Sequence, residues 1–325
     1  MASVALIGAG RIGRIHAANA GATAGFALKY VIDPVEAAAQ ALAAEAGAKV
    51  ATVDQALADP DVAGVIVASS TDTHLDLCLA AHAAGKAIFC EKPIDLDLAR
   101  ARAAAPRLAG ARLLLGFNRR FDANFQALKA RIDAGEIGAV ESVNITSHDS
   151  APPPPGFVRT SGGLFRDMAI HDFDTGRWLL GEPVSGVFAA AACLIDPSIG
   201  EAGDVDTAKI LLRTASGKLC LISNSRRSGY GYDQRIEVFG SNGMARAGNQ
   251  LESMTETWTE AGPAADRLQN FFLERYAEAY RREMAHFAEV LAGAPPAIGL
   301  ADGLAALALA EAAGESARTG APVKL

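Results

Sequence analysis

Hydrophobic and polar positions follow two different regimes along this chain. In the first third, short unbroken apolar runs alternate with longer Ala- and Leu-rich stretches at helical spacing. The runs are Ser3–Ile7, Phe26–Ile32, Val62–Ala68, Lys86–Cys90 and Arg112–Phe117, each reading as a strand buried on both faces. Between them an Ala-rich helix opens at Arg11, and Val35–Ala46, Asp72–Ala84 and Leu96–Leu108 read as further helices. Such alternation predicts an α/β fold with a doubly wound parallel sheet of six strands, Val62–Ala68 the fourth and Arg112–Phe117 the sixth.

Beyond Phe121 the period changes. A helix at Ala123–Ala134 leads into the alternating segment Val140–Ser147, followed by strands at Val187–Leu194, Thr207–Arg213, Lys218–Ser225 and Arg235–Phe239. Ala215-Ser216-Gly217 joins the third and fourth of these as a hairpin signal. An open, mostly antiparallel sheet with helices on one face, an α+β domain, is the expected result. Asp266–Leu291 and Leu300–Ala317 read as closing helices, with Tyr276 and Tyr280 packing inside the first. The chain of 325 residues therefore divides into two domains, residues 1–119 and 120–325. The uncovered sheet face is a candidate subunit interface.

Chemistry enters at the first crossover. Gly8-Ala9-Gly10-Arg11-Ile12-Gly13 matches G-x-G-x-x-G between a strand and a helix, and the second run ends at Asp33, twenty positions after Gly13. In that context the glycines let the backbone approach a pyrophosphate, whose charge meets the helix N-terminus. Asp33 would accept the ribose hydroxyls and repel a 2'-phosphate, favouring NAD over NADP. Ligands in such sheets lie beyond the carboxyl ends of the strands. Three of those ends are polar: Ser69-Ser70-Thr71 with His74, Glu91-Lys92-Pro93, and Asn118-Arg119-Arg120. Lys92, between a carboxylate and a proline whose peptide bond can be cis, could polarise a substrate oxygen; a surface lysine beside Glu91 is the plainer alternative.

The second concentration of chemistry is Ser161–Asp174, SGGLFRDMAIHDFD. Read as one helix, it sets Asp167, His171 and Asp174 on a single face at about 100° per residue, away from Ile170, Phe173 and Leu180. A carboxylate and an imidazole so placed suit proton transfer, and equally suit a solvated pair. Pro152–Pro155 reads as a rigid loop, aiming its neighbours or merely linking. Tyr230 and Tyr232, in a glycine-rich turn after Arg226-Arg227, either reach the substrate mouth or edge a hairpin.

Composition removes several function classes. Half of the residues are hydrophobic, 21% are charged, and the net charge of -7 comes without any basic run, which argues against nucleic acid or an anionic membrane as partner. No apolar run reaches the roughly 18 residues of a membrane helix, and Met1 leads directly into VALIGAG, so a cytoplasmic protein is expected. Cys78, Cys90, Cys193 and Cys220 are far apart in apolar segments and read as buried free thiols. No cluster has metal-ligand spacing, so no metal is expected.

GAGRIG, Asp33, STDTH at Ser70–His74, EKP at Glu91–Pro93 and the Asp167–His171 segment together resemble the glucose-fructose oxidoreductase, inositol dehydrogenase and rhizopine-catabolism family, over essentially the whole chain. PPPP at Pro152–Pro155 and SNSRRSGYGYDQRIEVFGSNG at Ser223–Gly243 carry a particular likeness to its inositol 2-dehydrogenase branch. The resemblance implies that Lys92, Asp167 and His171 form a catalytic triad with His171 as proton acceptor, that Lys92–Pro93 is cis, and that the assembly is a homotetramer. The implied reaction is NAD-dependent oxidation of a cyclic polyol, the 2-hydroxyl of myo-inositol first. Other polyols or sugars, such as scyllo-inositol or an aldose, and a cofactor-binding regulator without turnover, are the alternatives. The resemblance implies cofactor contacts at Gly8, Gly10, Arg11, Ile12, Gly13, Asp33, Ser69, Ser70, Thr71, His74, Glu91, Lys92 and Asn118. It implies substrate contacts at Lys92, Arg119, His148, Asp149, Asp167, His171 and Tyr230. His148-Asp149 departs from the Arg-Asp pair usual in that branch, which leaves the preferred polyol open.

Overall fold

A computed structural model of the chain describes residues 2–325. The N-terminal apolar runs become β1 (Ala2–Ile7), β2 (Phe26–Ile32), β3 (Lys49–Val50), β4 (Val62–Val67), β5 (Ala87–Glu91) and β6 (Leu113–Gly116). They form one parallel sheet in the order β3-β2-β1-β4-β5-β6, as the alternation predicts. The crossovers are α1 (Arg11–Ala22), α2 (Glu36–Ala46), α3 (Val53–Ala58), α4 (His74–Ala83) and α5 (Leu98–Ala104). The pattern places neither β3, only two residues long, nor the single-turn-scale α3, because neither carries enough positions to show a period. Strand order reverses at β1, which pairs with both β2 and β4 and so opens a crevice beyond their carboxyl ends.

The remaining helices are α6 (Ala123–Asp133), α7 (Pro155–Val158), α8 (Gly163–Asp167), α9 (Ala169–Leu180), α10 (Pro197–Glu201), α11 (Phe272–Arg275), α12 (Ala277–Leu291) and α13 (Leu300–Thr319). A second sheet contains β7 (Val140–His148), β8 (Val184–Ala192), β9 (Thr207–Thr214), β10 (Leu219–Ser225), β11 (Asp233–Gly240), β12 (Gly243–Ala247) and β15 (Val323–Lys324). Its order is β12-β11-β7-β10-β9-β8-β15, with β7 and β10 parallel and the other pairs antiparallel. β13 (Glu256–Thr259) and β14 (Gly262–Ala265) make a separate hairpin within polar sequence that offers no alternating signal. Pro155 opens α7 rather than lying in irregular loop: at the first helical position its missing N–H is one that no helix satisfies.

The compact units of the structure are not contiguous in sequence, unlike the division expected at residue 119. One compact unit runs through Phe121 and regains the chain at Ala279–Leu307; the other holds Asp122–Glu278 and Ala308–Leu325. The reason is visible in side-chain packing. Phe287 of α12 packs edge-on against Phe26 and Phe89 of the parallel sheet, and a Cβ at Gly303 of α13 would lie 2.3 Å from Leu115 of β6. Tyr276 and Tyr280 are buried, as the sequence suggests.

In the second unit, one sheet face is buried against α9 and the other is open. On the open face Phe188, Leu211 and Leu221 are cross-strand neighbours, 39%, 37% and 46% exposed. These three apolar side chains form one aligned row open to solvent.

Candidate active site

The first unit supplies a nucleotide cradle. The three fingerprint glycines do different work. Gly8 has φ +109°, and a Cβ there would sit 2.3 Å from the Ala68 carbonyl oxygen of the neighbouring loop. At Gly13 a Cβ would lie 1.9 Å from the Gly8 oxygen. Those two are required by the protein's own backbone. A Cβ at Gly10 would meet nothing within 4 Å. Gly10 caps α1 with no side-chain bond, so the first-turn N–H groups face that open space with no acidic residue among them. An uncapped helix N-terminus of twelve residues beside a bare glycine fits an anionic phosphate group.

Asp33, immediately after β2, is held by that loop: its carboxylate accepts bonds from Ala9 N–H at 2.7 Å and Val35 N–H at 2.8 Å. Arg11 is exposed and Ile12 half-buried at the start of α1. After β4, the Ser69 and Thr73 hydroxyls pair at 2.7 Å, while Ser70 and Thr71 open a short turn at the surface. His74 is buried, with Nδ1 on the Pro93 carbonyl at 2.8 Å and Nε2 on that of Ser69 at 3.1 Å. It ties the loops after β4 and β5 together. The Lys92–Pro93 peptide is cis, and Lys92 is half-buried. Asn118 and Arg119, just beyond β6, are buried.

The second unit carries the other cluster. Gly162 and Gly163 both have positive φ, and the Leu164 N–H they release is met by Asp204 at 3.0 Å. The segment beyond is two helices, not one: α8 stops at Asp167, and α9 begins after Met168, whose φ of -95° departs from the helical value near -63°. Asp167 and His171 therefore flank a junction and are both half-buried. Asp174, expected to share their face, is 1% exposed and belongs to the packed side of α9. Asp172 anchors α9 to the sheet by accepting a bond from Asn224 Nδ2 at 2.8 Å.

Arg226, just past β10, is a residue that sequence reasoning missed. It is 3% exposed, and its Nη1 donates to Asp167 Oδ2 at 3.0 Å and to Asp149 Oδ2 at 3.5 Å. Burial works against its charge, but the two carboxylates outweigh that and raise its pKa. In the sequence it looks like half of an exposed Arg-Arg pair; only a buried partner search could single it out.

His148 and Tyr230 are placed elsewhere. His148 lies one residue beyond the buried Ser147 and so on the open side of β7, where Nε2 meets Ser223 Oγ at 2.9 Å and burial lowers its pKa. The Tyr230 hydroxyl donates to Asp233 at 2.7 Å with its ring exposed. Neither joins the Asp167–Arg226–Asp149 group. Cys78, Cys90 and Cys220 are buried free thiols, but Cys193 is only half-buried, its Sγ donating to the Asp196 carbonyl at 3.0 Å. Among the described residues no helix is long and apolar enough to cross a membrane.

Comparison with known proteins agrees with both halves. Residues 2–117 match the model of an oxidoreductase family with an NAD-binding Rossmann fold, and residues 125–246 match the GFO/IDH/MocA C-terminal domain. A protein of Rhizobium meliloti named inositol 2-dehydrogenase is 51% identical over 95% of this chain and 94% of its own length. A myo-inositol 2-dehydrogenase of Thermotoga maritima is 45% identical over 99% of this chain and 98% of its own. Among solved structures, scyllo-inositol dehydrogenase from Lactobacillus casei with bound NAD(H) and scyllo-inositol superposes with a TM-score of 0.92 at 28% identity, covering 100% of this chain and 99% of that one.

Proposed function

The chain belongs to the GFO/IDH/MocA oxidoreductase family, and on that premise we propose that it oxidises inositol, myo-inositol at its 2-hydroxyl before others, to the 2-keto product with NAD as hydride acceptor. The observation that carries the substrate is the 51% identity, across almost the whole of both chains, to a protein named for that reaction. The chemistry is supported by the residues themselves.

An alcohol proton is too weakly acidic to leave unaided. In this reading His171 accepts it as the carbon-bound hydride departs, because an imidazole can act as base near neutral pH without extreme tuning. Asp167, across the α8–α9 junction, favours the charged form of His171. Lys92 stabilises the developing alkoxide with its ammonium. The alcohol thus loses a hydride and a proton, leaving ketone, NADH and a proton. Bound nicotinamide supplies the hydride acceptor; Gly8, Gly10 and Gly13, the first turn of α1 and Asp33 would hold its nucleotide portion. Asp149 and Arg119 fit substrate contacts, whereas the polar atoms of His148 and Tyr230 are engaged on the sheet.

The Asp33 carboxylate supports NAD over NADP, since its charge at the end of β2 opposes a 2'-phosphate. The exposed Phe188–Leu211–Leu221 row supports a homo-oligomer, a homotetramer in keeping with the family resemblance. Four free thiols fit the cytoplasm.

The test is a panel of myo-inositol, scyllo-inositol and aldoses, each with NAD and with NADP, read as reduced nicotinamide formed. Myo-inositol with NAD should give the highest kcat/KM. An aldose in first place would overturn the substrate, and a preference for NADP would overturn the reading of Asp33.

A further inference from the structure

Behind the loop that carries Lys92 lies a buried group of three ionisable side chains that the reaction does not use. Glu91, the last residue of β5, places Oε1 2.7 Å from Nε2 of the fully buried His16 on α1. Its other oxygen lies over Gly116, where a Cβ would crowd it at 3.1 Å. Glu283 reaches the same place from α12. It is 0% exposed, neither carboxylate oxygen has a hydrogen-bond partner, and the ligand atoms of all three residues lie within 4.8 Å of one another.

Two readings of such a cluster differ in what fills the centre. A divalent cation would be ligated by His16, Glu91 and Glu283. Ligand atoms bound at about 2.0–2.2 Å around a tetrahedral ion lie more than about 3 Å apart, however. The 2.7 Å separation of His16 and Glu91 is that of a hydrogen bond, with a proton and not a metal between them. Two carboxylates this close in an interior cannot both ionise. Glu91, with its imidazole partner, is the better placed to keep the charge.

We propose that Glu283 is held as a neutral carboxylic acid beside the ionised Glu91, and that the His16–Glu91–Glu283 group is a positioning device for Lys92, the next residue along the chain. The direction of the Glu283 titration agrees: burial first, and the Glu91 charge second, push its pKa well above the usual carboxylate range. Among the titratable neighbours of the group is Cys90, just before Glu91 on β5, whose buried thiol is pushed up by desolvation first and in small part by the Glu91 charge. His16 faces the group from α1 and Glu91 from β5. Tyr280, on the same helix as Glu283, sets its ring 5.9 Å from that of His16. Towards β4, the apolar Phe287 and Leu291 of α12 pack close to Gly64. A neutral Glu283 sets no second negative charge against the His16–Glu91 pair, so that His16 holds the Glu91 side chain and with it the start of the Lys92–Pro93 turn. The positioning role rests on the reading of Lys92 given above; the protonation state does not.

The experiment uses the intact protein and its Glu283→Gln, Glu283→Ala and Glu91→Gln variants. Infrared difference spectra of wild type against Glu283→Gln at pH 8 should show a carboxylic acid C=O band that the variant lacks. Absence of that band would overturn the proposal, whether or not the enzyme turns over inositol. In steady state, Glu283→Gln should keep kcat within about threefold, because an amide mimics a neutral acid. Glu283→Ala and Glu91→Gln should each lower kcat about tenfold or more while the KM for NAD stays within about threefold. Equal loss in Glu283→Gln and Glu283→Ala would overturn it, as would stoichiometric metal in the purified protein by elemental analysis. A band present in a protein inactive on every polyol would remove only the reading of Lys92.

Discussion

Arg226 Nη1 and Asp167 Oδ2 lie 3.0 Å apart in a pair whose guanidinium is almost wholly buried. The pair fixes one oxygen of the carboxylate at the α8–α9 junction. A buried guanidinium that also serves Asp149 is a geometric constraint more than a source of stability, since desolvation offsets much of the Coulomb gain. Arg226→Lys, keeping the charge but losing the planar fork, should lower kcat by about 10- to 100-fold. NAD affinity, read by fluorescence titration, should change little. Unaltered kcat would show that Asp167 needs no such support.

Lys92 and His171 are assigned the alkoxide and the proton. Lys92→Ala and His171→Ala should each reduce kcat by on the order of 10²–10⁴ while NAD still binds. Turnover near wild type in either variant would remove that residue from the mechanism.

Asp206 is a stability determinant without a part in catalysis. It is fully buried and accepts N–H bonds from Leu194 and Ile195 at 2.8 Å and from Asp196 at 3.0 Å, with the Thr207 hydroxyl at 3.0 Å. Burial raises its pKa, but these donors prevail and bring it down to about 2. A depressed carboxylate pKa stabilises the fold above its unfolded value, near 3.9, and that contribution disappears as pH falls through about 2. Asp206→Asn should therefore cost on the order of 2 kcal/mol at neutral pH, seen as a fall in Tm of about 4–8 °C. The difference should shrink between about pH 4 and pH 2; a constant offset in thermal scans would contradict the assignment.

The Phe188–Leu211–Leu221 row should be covered in the assembly. Leu211→Glu would put a charge at its centre, and light scattering after size exclusion should then report a smaller species than wild type. Wild-type mass in the variant would point to a different interface.

Much of this architecture was legible without coordinates because it depends on local period. Unbroken apolar runs mark β1, β2, β4, β5 and β6, and the alternation of Thr207–Arg213 and Lys218–Ser225 marks two faces of an antiparallel sheet. GAGRIG with Asp33 marked the nucleotide cradle, since a phosphate-binding turn is made by a few adjacent backbone groups. The cis bond at Lys92–Pro93 was an expectation of the family resemblance, the local sequence showing only that it could be cis.

What only tertiary structure decided depends on partners distant in sequence. Asp174 and His171 look equivalent at helical spacing, yet the packing around α9 buries one and leaves the other half-open. Arg226 meets Asp167 across 59 positions, and Glu283 comes within 4.8 Å of His16 although nearly the whole chain separates them. Period tells which face of an element is buried. It carries no information about which polar groups that burial brings together, and that pairing sets their charge and their role.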